Sequence, residues 1–124
     1  MLDASAVLAL LNEEPGADEV EGRLDGAAMS TVNLAEVLQK VWQHDIDTEG
    51  LEHDLDALGL EFVDFGVRDA RAAADLWARV PASGLSLGDR ACLAAAESLG
   101  ATAVTSDRTW ASIEALGVSV EVIR

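Results

Sequence analysis

Residues 87–105 read LGDRACLAAAESLGATAVT, and this stretch combines an amphipathic helix with a following strand. Apolar residues recur with helical spacing from Leu87 to Leu99, and Gly100 is a typical helix stop signal. The β-branched run Thr102–Thr105 follows at once. Because alternating helices and strands build α/β proteins, this stretch predicts an α/β domain.

The rest of the chain continues the alternation on both sides. Helices are predicted at Ala4–Leu11, Ala17–Leu24, Thr31–His44, Thr48–Leu58, Arg68–Val80, Leu87–Leu99 and Asp107–Leu116. Strands are predicted at Ala27–Ser30, Glu61–Phe65, Thr102–Thr105 and Val118–Ile123, with the end of a short strand at Leu2–Asp3. The pattern indicates a three-layer α/β/α sandwich with a mainly parallel central sheet.

Length and composition indicate one compact domain. The chain has 124 residues, of which 50% are hydrophobic, so we expect a single domain over residues 1–124 with a packed core. The single cysteine, Cys92, leaves no internal disulfide, which fits a reducing cytoplasm. No basic region precedes the apolar run Ala4–Leu11, and no run approaches the roughly 18 apolar residues of a membrane span. We therefore expect a cytoplasmic protein without membrane contact.

The chain is strongly acidic. Its 23 Asp and Glu residues against 8 Lys and Arg residues give a formal charge of −15, which repels polyphosphate at long range. This charge argues against a protein that coats nucleic acid without selectivity. It is compatible with an enzyme whose metal ions supply local positive charge, or with a protein that binds a basic partner.

Two aspartates occupy equivalent positions at predicted strand ends. Asp3 and Asp107 each follow a strand and precede a helix, and open α/β sheets bind ligands beyond the carboxyl ends of their strands. Aspartate is also a preferred N-cap residue, so helix capping alone accounts for either one. Their equivalent placement hints at a shared site.

Asp89 is the most informative carboxylate, because it aligns with the apolar helix face formed by Cys92, Leu93 and Ala96. Burying a carboxylate there is costly unless it is paired, hydrogen-bonded or bound to a metal. The alternative is that Ser86 caps this helix and Asp89 is the acidic third residue of a capping box.

Glu36 is ambiguous from its pattern. It lies opposite Leu34, Leu38 and Val41, four residues before Lys40, so periodicity favours a solvated face with an ordinary Glu36–Lys40 pair. If these acidic side chains converged, their oxygen ligands would suit Mg²⁺ or Mn²⁺ and not zinc. Since clustered carboxylates repel one another, such a site would depend on the metal.

Five segments together resemble the PIN-domain family, specifically its VapC-like toxin branch. They are LDASAVLALLNEEPG at 2–16, STVNLAEVL at 30–38, GLSLGDRACLAAA at 84–96, AVTSDRTWA at 103–111 and GVSVEVIR at 117–124. They span essentially the whole chain in the expected order. The resemblance implies a PIN-like sandwich and a Mg²⁺- or Mn²⁺-dependent endoribonuclease that is the toxin of a toxin–antitoxin pair.

The resemblance also implies a site. The family's acidic residues fall on Asp3 in LDAS, Glu36 in NLAE, Asp89 in LGDR and Asp107 in TSDR. These side chains would bind the metal for hydrolysis of RNA phosphodiester bonds, with Asp3 and Asp89 as the first choice for direct ligands.

Further polar residues accompany these motifs. Ser5, Asn33 and Ser106 look like supporting residues, with local caps or solvent contacts as the alternative. Arg90 and Arg108 each follow a site aspartate. They would contact RNA phosphate or hold a carboxylate, and a structural salt bridge is the alternative.

Partners are implied by the resemblance as well. They are a cognate antitoxin that obstructs the site, a second copy in a homodimer, and a structured RNA substrate such as tRNA or rRNA. Apolar residues on the early helices are candidate partner surfaces, with core packing as the alternative; they include Val7, Leu8, Leu11 and Trp42.

Other chemistries fit less well. A receiver-type signalling domain needs an acidic pair and a late lysine, whereas Lys40 is the only lysine. A phosphatase of the aspartyl-phosphate class needs a second aspartate two residues after Asp3, where Ser5 stands. The two histidines, His44 and His53, lie outside every motif, which argues against a paired-histidine ribonuclease. A catalytically silent PIN-like module that binds proteins stays open.

Overall fold

Helices and short strands alternate along the chain in the computed structural model, which describes residues 1–113 and 116–124. The helices are α1 (Ala4–Leu11), α2 (Ala17–Arg23), α3 (Thr31–Gln43), α4 (Leu51–Ala57), α5 (Val67–Arg79), α6 (Leu87–Leu99) and a 3₁₀ helix (Arg108–Ser112). The strands are β1 (Ala28–Ser30), β2 (Glu61–Val63), β3 (Ala103–Thr105) and β4 (Val120–Val122).

The N-terminal segment 1–3 joins two strand pairs. β1 pairs with β2 and β3 pairs with β4, both in parallel. The Leu2 N–H donates to the Ala28 carbonyl of β1 at 2.8 Å, and Leu2 also forms a parallel bridge with Val104 of β3. The order across the sheet is therefore β2, β1, residues 1–3, β3, β4, and the mainly parallel sheet is confirmed.

Two apolar clusters cover the two faces of this sheet. Neighbouring residues of one strand belong to different clusters: Leu2 and Val104 lie in the first, and Met1 and Ala103 lie in the second. Because successive strand residues point to opposite faces, the clusters lie on opposite sides of the sheet. Helices α1 to α4 contribute to the first cluster and α5 and α6 to the second, which confirms the predicted α/β/α sandwich.

The predicted helices α1 and α6 have the expected bounds, and most other ends shift by one to three residues. Gly50 adopts a left-handed φ of 81°, so α4 begins at Leu51 and not at Thr48. The predicted α-helix Asp107–Leu116 is wrong in its described part. A 3₁₀ helix lies there and gives way to extended backbone at Ile113, and residues 114 and 115 lie outside the described residues.

One candidate partner residue is also corrected. Val7 is fully buried in the first cluster and is therefore core, because α1 packs this side chain against the sheet. Leu8 is half-buried, whereas Leu11 and Trp42 are 36% and 69% exposed. In the part of the chain that the structure describes, no helix is both long and apolar enough to span a membrane.

Candidate active site

Carboxylate side chains meet at the edge of the sheet where the parallel strands end. Asp3 directly follows the bridge at Leu2, and Thr105 is the last residue of β3. Helix α1 begins immediately after Asp3, and α3 begins immediately after β1. This is the edge at which open α/β sheets place ligands.

Asp3 is buried and held by several hydrogen bonds. It is 4% exposed. Its carboxylate accepts hydrogen bonds from the Thr105 hydroxyl at 2.6 Å, the Ser5 hydroxyl at 2.8 Å and the Ala6 N–H at 2.9 Å. Burial disfavours the charged form and raises the pKa of Asp3 to about 6, although these hydrogen bonds oppose the rise. The Asp3 carboxylate is thus fixed in orientation and poorly solvated.

Thr105 is a site residue that the sequence analysis missed. It is fully buried. Its hydroxyl donates to Asp3 and accepts from the Asp107 N–H at 3.0 Å, so it links the two strand-end aspartates. The sequence feature that points to this role is a hydroxyl residue at the end of a β-branched run, two positions before Asp107.

Ser5 contacts the same cluster. Its hydroxyl donates to Asp3 and accepts from the Ser106 N–H at 2.9 Å. Ser106 therefore contributes through its backbone. Together the contacts tie the start of α1 to the end of β3.

Asn33 holds Glu36 against the first turn of α6. Its amide nitrogen donates to Glu36 Oε1 at 2.8 Å and to the Gly88 carbonyl at 3.0 Å, and Asn33 is 1% exposed. A Cβ at position 88 would overlap the Glu36 carboxylate, so glycine is required for this close approach. In the sequence, only the presence of a glycine in the first turn of a predicted helix points to this requirement.

Glu36 faces the site and is not a fully solvated side chain. Burial raises the pKa of Glu36, the Asn33 hydrogen bond opposes the rise, and the charge of Asp89 adds to it. Among the described residues no ion pair joins Glu36 to Lys40. The solvated pair that periodicity favours is therefore not formed.

Asp89 closes a capping box at the start of α6, and it also belongs to the carboxylate cluster. Its Oδ2 accepts from the Ser86 N–H at 2.9 Å, and the Ser86 hydroxyl accepts from the Asp89 N–H at 3.1 Å. The charge of Asp89 also raises the pKa values of Asp3 and Glu36, after the larger effect of burial.

Cys92 lies one turn after Asp89 on α6, and the charges of the same carboxylates affect the pKa of its thiol. It is fully buried, and burial raises the pKa of its thiol well above the usual value. The charges of Asp3, Asp89 and Glu36 raise it further. The charges of the three carboxylates therefore all act on this part of α6.

Asp107 lies at the edge of this cluster. Its Oδ1 accepts hydrogen bonds from the Thr109 hydroxyl at 2.7 Å and from the Thr109 N–H at 2.9 Å, so its carboxylate caps the 3₁₀ helix. Its backbone contacts the cluster through Thr105. The structure thus brings Asp3, Glu36 and Asp89 together and leaves the Asp107 carboxylate bound to its own helix.

The two arginines after site aspartates make structural contacts. The Arg90 guanidinium donates to the Ala73 carbonyl of α5 at 2.8 Å, and Arg108 Nε donates to the Arg124 carbonyl at 3.2 Å. Neither forms an ion pair with a carboxylate of the described residues. They stabilise the packing around the site.

The cluster has the donor chemistry of a site for a hard divalent cation, because every donor is a carboxylate oxygen. Within residues 1–113 and 116–124, no three Asp, Glu, His or Cys side chains are already arranged to hold one ion together. Asp3, Glu36 and Asp89 also lack ion pairs with the described Lys and Arg residues. A buried carboxylate with a raised pKa near two others is stabilised by a cation, so these residues fit Mg²⁺ or Mn²⁺ by the type of their ligand atoms.

Solved structures share the fold over nearly the full chain. A toxin–antitoxin complex from Klebsiella pneumoniae matches with a TM-score of 0.77 and 18% identity, covering 99% of this chain and 96% of that chain. VapBC2 from Rickettsia felis, bound to a DNA fragment from its promoter, matches with a TM-score of 0.68 and 19% identity, covering 100% and 98%. DNA-bound VapBC from Salmonella typhimurium matches with a TM-score of 0.68 and 20% identity, covering 100% and 97%.

Sequence comparison identifies the family. No curated protein sequence matches the chain significantly. The profile of the PIN domain matches residues 1–116. Because that match covers nearly all of the 124 residues, the chain belongs to the PIN-domain family.

Proposed function

We propose that this protein is the toxin component of a toxin–antitoxin pair and acts as a Mg²⁺- or Mn²⁺-dependent endoribonuclease. The observation that carries the proposal is the placement of three carboxylates near the start of α6 in a PIN fold. Glu36 lies against Gly88, the residue before Asp89, and the charge of Asp89 acts on both Asp3 and Glu36. The structures described as toxin–antitoxin complexes, which share the fold, support the toxin assignment.

The four acidic side chains have different roles in this proposal. Asp3 and Asp89 would hold the cation directly, and Glu36 and Asp107 would complete the site or act through water. A bound cation would supply a water molecule of lowered pKa and positive charge beside the scissile phosphate and the leaving oxygen. The fixed orientation of Asp3 and Glu36 limits the rearrangement that binding requires.

The residues around the carboxylates keep them in position. The Thr105 and Ser5 hydroxyls each donate to Asp3, and the Asn33 amide donates to Glu36. Such contacts orient the carboxylate lone pairs before a ligand arrives. The poorly solvated position of Asp3 strengthens its electrostatic interaction with a cation.

The proposed partners follow from the toxin assignment. We expect a cognate antitoxin that obstructs the site, a homodimer, a structured RNA substrate such as tRNA or rRNA, and a cytoplasmic location. The exposed side chains of Leu11 and Trp42 remain candidate partner contacts, because they lie on α1 and α3 outside the core.

The test compares Asp89→Asn with a matched control on a panel that includes tRNA and rRNA. Asp69 is the control, because its carboxylate accepts a hydrogen bond from the Gly66 N–H at 2.8 Å. It therefore caps the N-terminus of α5 in the way that Asp89 caps the N-terminus of α6. With Mn²⁺ present, we expect the wild type and Asp69→Asn to cleave RNA. Asp89→Asn should lose about 100-fold or more of that activity, since it removes a proposed ligand and keeps the side-chain shape.

Two results would contradict the proposal. Full activity in Asp89→Asn would remove Asp89 from the proposed site. No cleavage of any RNA by the wild type, with either Mg²⁺ or Mn²⁺, would favour the silent protein-binding module instead.

A further inference from the structure

Most basic side chains of this acidic protein are occupied by contacts within the fold. Three arginines form ion pairs: Arg23 with Glu121, Arg79 with Glu97, and Arg124 with Glu14. Arg90 and Arg108 donate to backbone carbonyls. Lys40, Arg68 and Arg71 are exposed and form no ion pair or side-chain hydrogen bond with any residue that the structure describes.

The direction of α5 relative to α6 places two of these cations. Arg90 of α6 donates to Ala73 of α5 at 2.8 Å. Further along both helices, Arg79 of α5 pairs with Glu97 of α6 at 2.9 Å. Because later residues of α5 meet later residues of α6, the two helices run in the same direction and begin at the same end of the molecule.

Arg68 and Arg71 therefore lie at the same end of the molecule as the α6 turn that carries Asp89. They belong to the first half of α5, which begins at Val67. Asp75 lies one helical turn after Arg71, but it is not within ion-pair distance of it. Both guanidinium groups are thus available at the edge that holds the carboxylate cluster.

Lys40 lies on α3, which also packs against α6. It follows Glu36 by one turn of α3, which is about 6 Å along the helix axis. Its charge is close enough to oppose the rise in the pKa of Glu36 that burial causes. Since α6 packs against both α3 and α5, Lys40 and the two arginines lie on the two helices that adjoin the helix of Asp89.

We propose that Lys40, Arg68 and Arg71 form a phosphate-binding rim, and that an RNA strand crosses the first turn of α6 between them. The inference deepens the proposed endoribonuclease function and rests on it. In a chain of charge −15, these are the exposed cations that the fold leaves without a described partner, and they lie on the two helices, α3 and α5, that pack against α6. Lysine and arginine contacts to phosphates supply affinity and position without reading sequence.

The rim also bears on the length of the bound RNA. Packed helices lie roughly 8–10 Å apart, so a strand that reaches from α3 across α6 to α5 spans up to roughly 16–20 Å. That distance requires several consecutive nucleotides. The rim therefore favours an extended RNA segment over a mononucleotide.

The test measures RNA binding separately from cleavage. Asp89→Asn serves as the parent, and Lys40→Ala, Arg68→Ala and Arg71→Ala are combined in it. Binding of a labelled single-stranded RNA oligonucleotide is measured with Mg²⁺ over a NaCl series. Each phosphate contact on a single strand adds roughly 0.7 to the salt slope of the affinity, so losing three should lower that slope by about 2. The affinity at low salt should fall about 10-fold.

Arg79→Ala in the same parent is the matched control, because Arg79 lies on α5 but is neutralised by Glu97. We expect it to leave the salt slope unchanged. The rim is overturned if the triple variant binds RNA with the same affinity and salt slope as the parent. It is also overturned if Arg79→Ala loses as much affinity as the triple variant, because that result would indicate a general charge effect. Cleavage by the wild type tests the proposed function independently. A changed salt slope without wild-type cleavage supports the rim and contradicts the endoribonuclease.

Discussion

At the scale of single residues, Asp3 makes the stability of the metal-free protein depend on pH. Burial raises the pKa of Asp3 from 3.8 to about 6, so the folded protein holds this proton more tightly than the unfolded chain does. The resulting stabilisation is full below the unfolded value and is lost as the pH rises through about 6, by roughly 3 kcal/mol in total. We therefore expect Asp3→Asn, which is neutral at every pH, to unfold at a higher temperature than the wild type at about pH 7.5.

Thermal unfolding in EDTA across this pH range checks the expectation for Asp3. The two melting temperatures should converge near pH 4, where Asp3 of the folded wild type is protonated. A difference in melting temperature that stays constant with pH would contradict the assignment of the pH dependence to Asp3.

Four residues of the candidate site show which contacts could be predicted from the sequence and which could not. The capping box of Asp89 is local, so spacing was enough to anticipate it, whereas its electrostatic contact with Asp3 depends on the whole fold. The helical periodicity predicted that Glu36 lies on a solvated face, because periodicity takes account only of neighbours on the same helix. Thr105 and Gly88 escaped notice because a strand hydroxyl and a helical glycine resemble ordinary packing residues until their contacts are known.

At the scale of elements, Gly88 lets α6 lie directly against the Glu36 carboxylate of α3. The added Cβ of Gly88→Ala would displace the Glu36 carboxylate from the Asn33 amide. We expect RNA cleavage to fall about 10-fold, because a positioned carboxylate is lost. The free energy of unfolding should change by less than about 1 kcal/mol, because the better helix propensity of alanine offsets the lost hydrogen bond.

Gly22 is the control for this substitution, since it lies in α2 and an added Cβ there meets nothing within 4 Å. Gly22→Ala should raise the free energy of unfolding by about 0.5–1 kcal/mol and leave cleavage unchanged. Urea unfolding and RNA cleavage of both variants provide the measurement. Equal cleavage by the two would show that the Glu36–Gly88 contact has no role in activity.

Helix ends were predictable where a local stop signal marks them, and the sheet order was not. Gly100 terminates α6 in a left-handed conformation, as its position predicts, whereas Gly50 uses the same conformation to begin α4 late. Residues 1–3 lie between β1 and β3 because of hydrogen bonds to distant segments, which no local pattern encodes. Alternation alone therefore established the class of fold, and tertiary contacts determined which carboxylates meet.

At the scale of the whole molecule, the charge of −15 and the carboxylate cluster predict two separable responses to salt. Self-repulsion destabilises the folded state, so NaCl should raise the melting temperature of the metal-free protein by screening the acidic surface. Specific binding adds to this effect, by about 2.7 kcal/mol when Mg²⁺ exceeds its Kd about 100-fold.

The comparison of MgCl₂ with NaCl at equal ionic strength separates these two responses. In the wild type and in Asp69→Asn, MgCl₂ should raise the melting temperature more than NaCl does, because the cluster binds the cation in addition to the screening. In Asp89→Asn that excess should disappear while the response to NaCl remains, since the substitution removes a proposed ligand and hardly alters the overall charge. An excess of equal size in all three proteins would mean that Mg²⁺ acts on the acidic surface as a whole, and the proposed metal site would lose its support.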